Sequence, residues 1–244
     1  MTVLGTDGAY WVHLGAALLA AAVLVALPEP PASHERRGSQ PGAARESTLR
    51  VVRRHLPVLR TLGVAALFVG AARASRQVVI PLWADHIGLD PATTSLVFGI
   101  SGAVDMLLFY PAGVVMDGAG RSWVVVPSML VLGLAHLLLP LTGSIAALTA
   151  VAMLMGLGNG MGSGIIMTIG ADVSPSASRA TFLGAWRLCA DVGNGTGPLV
   201  ISALTALAAL GPAILAMGGV TWLAAALMWR WIPRYSTPGR SAGS

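Results

Sequence analysis

Five charged residues stand inside otherwise apolar stretches of this chain: Arg73, Arg76, Asp105, Arg187 and Asp191. A charge near the middle of a bilayer costs about 2.5–3.5 kcal/mol on insertion scales, so such residues mark ion pairs, polar cavities or proton pathways. Asp105 and Asp191 are carboxylates that can carry a proton. Burial raises the pKa of such a group and a neighbouring guanidinium lowers it. Arg187 and Asp191 are four apart, which puts them on one helix face and predicts that they pair. Asn159 and Ser163 add neutral polar groups to the same apolar background. Together these residues predict a substrate or proton cavity, with Arg73 and Arg76 on one wall, Asp105 on a second and the Arg187–Asp191 pair on a third. His136 is expected to be a packed or interfacial histidine.

The elements that must carry these groups are membrane helices. The chain is 55% hydrophobic and only 10% charged, against about 25% charged in soluble domains, and its mean hydropathy is +0.74. Spanning takes about 20 apolar residues. Seven segments qualify: 8–27, 57–83, 92–116, 122–141, 144–171, 180–207 and 211–232. The fold class expected is an all-α, polytopic membrane protein. The first segment lacks a positive leading region and ends in Pro28-Glu29-Pro30-Pro31, so it reads as a span and not as a cleaved leader. Residues 28–56 form an Arg-rich linker, in which Leu49, Val52 and Leu56 face one side of an amphipathic stretch and Arg50, Arg53 and Arg54 another. A solvated basic loop is the competing reading. The organisation predicted is thus 1–27 first span, 28–56 linker, 57–233 six-helix unit and 234–244 tail.

Arginines set the orientation. The linker, the turns holding Arg121 and Arg179, and the tail with Arg234 and Arg240 all fall on one side if the seven helices alternate; the other side carries Asp7, Asp85 and Asp90. The positive-inside rule makes the Arg side, with the C-terminus, cytoplasmic. The same rule accounts for the net charge of +5 better than nucleic-acid binding does. One cysteine, Cys189, permits no intrachain disulfide. No Walker motif, metal-ligand cluster or nucleophile triad occurs, so neither cofactor nor metal is expected, and an enzyme is not the reading. The alternating glycines from Gly156 to Gly164 mimic a nucleotide loop but lack the preceding strand. Gly156, Gly160 and Gly164 fit small-xxx-small helix packing instead.

Helices two to seven resemble two groups of three. Asp105 precedes Pro111 and Asp191 precedes Pro198 at similar spacing on helices in equivalent places, as in the inverted 3+3 repeats of secondary transporters. The turn Gly113-Val-Val-Met-Asp117-Gly-Ala-Gly120-Arg121 resembles the cytoplasmic latch loop of the major facilitator superfamily, with Gly118 and Ser122 replacing basic positions. Here Gly113 would let a neighbouring helix approach, Asp117 would accept from amides at a helix start, and Arg121 would pair with a carboxylate across the face. A plain Asp-Gly turn is the alternative. Gly184, Gly193, Gly197 and Pro198 resemble most of the antiporter signature of that family, with Ile201-Ser202 in place of its final glycines. Packing glycines with a proline bend read the same residues structurally. The run Val79-Ile80-Pro81-Leu82-Trp83, and Phe109-Tyr110-Pro111-Ala112-Gly113 entering the latch, complete the resemblance.

The resemblance implies the C-terminal portion of such a transporter: the last helix of the first half, the central loop and the six-helix second half. It further implies proton-coupled efflux of small organic molecules in the manner of the drug/proton antiporter branch. The site would be the substrate/proton cavity Arg73, Arg76, Asp105, Asn159, Arg187 and Asp191. Its partners would be the lipid bilayer of the cell membrane, a small-molecule substrate, protons, and a missing N-terminal half or a second copy. A non-transporting remnant or membrane assembly partner is the rival reading.

Overall fold

The computed structural model describes residues 47–235, together with Leu14, Gly15, Leu18 and Leu19. The chain divides into two units, Met1–Arg45 and Glu46–Ser244. In the first, the four described residues are helical; the first expected span, most of the linker and the tail lie otherwise outside the described residues. The second unit is helical throughout its described length, without strands among those residues.

Its elements are α1 (Thr48–Arg54), α2 (Leu56–His86), α3 (Pro91–Ala119), α4 (Ser122–Leu138), α5 (Ile145–Met161), α6 (Ile165–Asp172), α7 (Arg179–Leu207) and α8 (Leu210–Tyr235). Five stretches are long and apolar enough to cross a membrane: α2, α3, α4 with its following turn, α5 with α6, and α8. Helix α7 equals α3 in length, at 29 residues, but carries Arg179, Arg187 and Asp191 and is not among the five. Of the six expected spans that fall on the described residues, five qualify by length and apolarity. Helix α7 joins the bundle through its packing.

Lipid offers no partner for a free backbone amide or carbonyl, so each span must satisfy its own backbone. Two helix starts carry side-chain caps. Asp90 accepts from the amides of Ala92 and Thr93 at 3.0 and 3.1 Å, with Pro91 beginning α3. Hydrogen bonds from Thr93, by side chain and backbone, hold the Asp90 carboxyl below its ordinary range. Ser144 caps α5 in the same way.

The neighbour pattern is symmetric. Helix α2 packs along α7 as α5 packs along α3, and α4 packs along α8. Exchanging the triplets (α2 with α5, α3 with α7, α4 with α8) returns the same neighbours, as two inverted three-helix repeats would. Small residues permit the close crossings. A Cβ on Gly193 would meet the carbonyl of Leu67, one on Gly197 that of Ala71, one on Gly156 that of Ser101 and one on Gly160 that of Asp105. Indole N–H groups tie helices together: Trp83 donates to Thr142, Trp186 to the carbonyl of Ile166 at 2.8 Å and Trp222 to that of Leu130 at 3.1 Å.

Two expectations are corrected here. The fifth span, expected to be one helix over 144–171, is broken at Gly162–Gly164, where Gly164 adopts φ +76°. Gly164 is thus a left-handed hinge, which glycine adopts without steric cost, and not the third member of a packing stripe. The stretch before α2 forms a short helix, but its anchoring residue is Val51, 1% exposed, while Leu49 is 66% exposed. Helix α1 lies against α7 through Val51, with Val52 of the expected face partly buried beside it and Leu49 left out.

Candidate functional site

Where α2, α3 and α5 meet, four of the six cavity residues join one network. Arg76 on α2 reaches Asp105 Oδ2 on α3 at 3.2 Å and the Ser101 hydroxyl, one turn earlier, at 2.9 Å. The same carboxylate oxygen accepts from Asn159 Nδ2 on α5 at 2.6 Å. Asn159 Oδ1 in turn accepts from Arg73 Nε at 2.9 Å. Arg73 and Arg76 are three apart and so share the α2 face that meets both neighbours.

The helix break belongs to this site. Gly162 has left the α5 ladder, and its carbonyl accepts from Arg73 Nη1 at 2.7 Å. Arg73 Nη2 is 3.2 Å from the Ser163 hydroxyl. Non-helical backbone at membrane depth requires such partners, because water is not there to supply them. One guanidinium therefore serves both the broken helix and the amide that holds Asp105.

Asp105 is the open member. Its side chain is 21% exposed, against 7% for Arg76. Arg76 also lies under the Phe98 ring, 5.5 Å from its centroid, and its Nε is buried without an acceptor. Phe98 is shared with a cleft of about 460 Å³ at the loop end of α2 and α3, lined by Pro81, Asp85, Leu89, Thr94 and Ser95 among others. The ring thus separates that cleft from the ion pair.

Arg187 and Asp191 pair as expected, at 3.1 Å, but away from this network. Their side chains are 59% and 49% exposed, and among the described residues Arg187 otherwise reaches the Met167 sulfur at 3.9 Å. The three expected walls therefore reduce to one connected site on α2, α3 and α5, with a separate exposed pair on α7. His136 is fully buried. Its Nε2 lies 2.9 Å from the Ser75 hydroxyl on α2 and its Nδ1 2.8 Å from the Leu132 carbonyl of its own helix, so both ring nitrogens are engaged and one of them ties α4 to α2.

At the other end of α3, Arg121 bridges two carboxylates. Its Nη1 meets Asp117 at 2.9 Å and its Nε meets Asp172, at the end of α6, at 2.9 Å. Hydrogen bonding to Asp172 first, and to Asp117, holds its guanidinium above the ordinary value. Gly120 takes φ +101° to turn the chain between helices. Asp117 is corrected: α3 runs on to Ala119, so Asp117 sits in a last turn and accepts from Arg121 instead of from amides at a helix start. Nothing among the described residues lies within 4 Å of where a Gly113 Cβ would stand.

Of the antiporter-like set, Gly193 and Gly197 are buried against α2, Gly184 faces open space, and Pro198 lies within an unbroken α7. Ser101, Phe98, the Gly162 carbonyl and Asp172 were not singled out from the sequence. Ser101 stands one turn before Asp105 and Asp172 ends an apolar run, so spacing offered a signal for those two. Arg121→Gln should lower stability by no more than about 1 kcal/mol, because both of its pairs are partly solvated. Arg121→Lys should restore less than half of that, since one ammonium lacks the fork that spans two carboxylates. Thermal unfolding of the three proteins in detergent measures both.

An all-helical membrane protein with two inverted triplets, a broken helix and an ion pair at its core is defined by these features. The family model described as Major Facilitator Superfamily matches residues 62–243, and the chain belongs to that family of membrane transporters. No match is found among the curated proteins compared.

Proposed function

We propose that this chain supplies the second six-helix half of a secondary transporter that couples proton movement to efflux of small organic molecules, in the manner of the drug/proton antiporters. The observation that carries this reading is Asp105. It is a partly exposed carboxylate at membrane depth, held by Arg76 and Asn159 in the angle of three helices. Protonation would release both donors and free the helices to shift, which links proton uptake to a change of packing.

The other half would come from the protein's first half, another chain or a second copy. Helix α3 buries only 11% of its most apolar window, against 50% for α2 and α4. It leaves Met106, Leu107, Phe109 and Tyr110 uncovered next to Asp105, a surface suited to a further helical unit or lipid. On this reading the Arg121 end is cytoplasmic and the membrane is the cell membrane.

The test uses membrane vesicles carrying the chain, an imposed pH gradient and ethidium as the transported probe. Asp105→Asn keeps the side chain's shape and removes its titration. It should lower gradient-driven ethidium movement at least ten-fold with helix content unchanged. Asp191→Asn should retain most of the activity, because its pair is separate and exposed. Wild-type transport in Asp105→Asn overturns the coupling assignment.

A further inference from the structure

The end of α8 carries charges that no ion pair among the described residues neutralises. Residues 210–229 hold no charged group, and about 20 residues of helix cover the ~30 Å hydrocarbon core. Arg230 is the first charge after that run, at the level where lipid phosphates stand. Its guanidinium carbon lies 5.1 Å from the Trp231 ring centroid, and that of Arg234 lies 4.8 Å from the same ring. Two like charges four apart on a helix repel, yet both are drawn to one indole.

Neither guanidinium forms an ion pair among the described residues. Asp105, Asp117, Asp172 and Asp191 are taken by other arginines, and Asp85 and Asp90 lie by the α2–α3 loop. Trp229, the last residue of the uncharged run, is 62% exposed. The Thr61 hydroxyl lies 3.2 Å from the Tyr235 hydroxyl, which brings the exposed Arg60 to the same end of the bundle.

We infer that Arg230, Trp231 and Arg234 form a clamp for the phosphate of an anionic phospholipid headgroup, with Trp229 against its acyl chains. The indole orients the two guanidinium planes, and guanidinium forks match phosphate oxygens. A phosphate between them also cancels their mutual repulsion. An exposed tryptophan on the membrane side of the clamp selects a lipid over a free anion, since indoles favour the membrane interface.

Native mass spectrometry of the full chain in detergent tests this, with phosphatidylglycerol and phosphatidylcholine offered in equal amounts. The wild type should retain phosphatidylglycerol at least ten-fold over phosphatidylcholine. Arg230→Gln/Arg234→Gln should bring the two near parity, while Arg50→Gln/Arg53→Gln on α1 should leave the preference unchanged. Trp231→Leu keeps both charges but removes the ring, and should lower the preference several-fold even if the double variant fails to fold. The inference is overturned by equal retention in the wild type, by an unchanged preference in Arg230→Gln/Arg234→Gln or in Trp231→Leu, or by its loss in Arg50→Gln/Arg53→Gln. Displacement of phosphatidylglycerol by millimolar inorganic phosphate would also overturn it, because the site would then serve the free ion.

Discussion

Asp105→Leu is expected to destabilise the bundle by about 3 kcal/mol, the lower end of the cost of removing one partner from a buried ion pair, because Arg76 is buried while Asp105 is partly exposed. The change strands two donors at once. Arg76, with a 7% exposed side chain, keeps only the Ser101 hydroxyl and the Phe98 face. Asn159 Nδ2 loses the acceptor that turns its oxygen toward Arg73. Arg73 also holds the Gly162 carbonyl at the break between α5 and α6, so loosening Asn159 reaches the least regular backbone in the bundle. Lipid cannot replace these partners as water would. The companion variant Arg76→Met/Asp105→Leu removes both charges and should recover most of the loss, since a missing pair costs far less than half a pair. Thermal unfolding in detergent distinguishes the two. An equal loss in the single and double variants would place the cost in packing and not in the stranded charge.

The second large effect is a difference of sign between glycines. Gly160→Ala should destabilise by about 1–3 kcal/mol, as overpacking at a tight contact does. The added methyl would meet the Asp105 backbone, pushing α5 from α3 and stretching the Asn159–Asp105 bond. Gly156→Ala, Gly193→Ala and Gly197→Ala should behave alike, each against a backbone carbonyl of the neighbouring helix. Gly113→Ala and Gly184→Ala should instead stabilise by up to about 1 kcal/mol, the helix-propensity gain of alanine over glycine. Both lie inside helices with open space where the methyl would go. Melting temperatures of the six variants decide this. If the proposed partner half docks on α3, Gly113→Ala should impair transport while leaving the isolated chain at least as stable.

These glycines show where sequence reading ends. The pattern around Gly184, Gly193 and Gly197 forecast close packing, and two of the three provide it. Nothing local distinguishes Gly193, against Leu67, from Gly184, which faces open space. The contact depends on which face of α7 meets α2, a property of both helices and their crossing. The broken fifth span is similar. Its glycines at alternate positions were visible, but not that a guanidinium from another helix would hold the Gly162 carbonyl at the break.

What the sequence determined by itself was autonomous or local. Apolar runs in lipid must fold as helices because each must satisfy its own backbone. The Arg187–Asp191 pair follows from four-residue spacing on one helix, and the turn glycine Gly120 from its place between two spans. The tertiary structure alone decided which buried charges meet. It gathered Arg73, Arg76, Asp105 and Asn159 from three helices, left Arg187–Asp191 apart, and brought in Ser101 and a backbone carbonyl. Residues as far apart in sequence as Arg73 and Asn159 become partners only through the angle and register at which α2, α3 and α5 pack. The close approach of α5 to α3 depends on Gly156 and Gly160, and the charged residues themselves do not encode it.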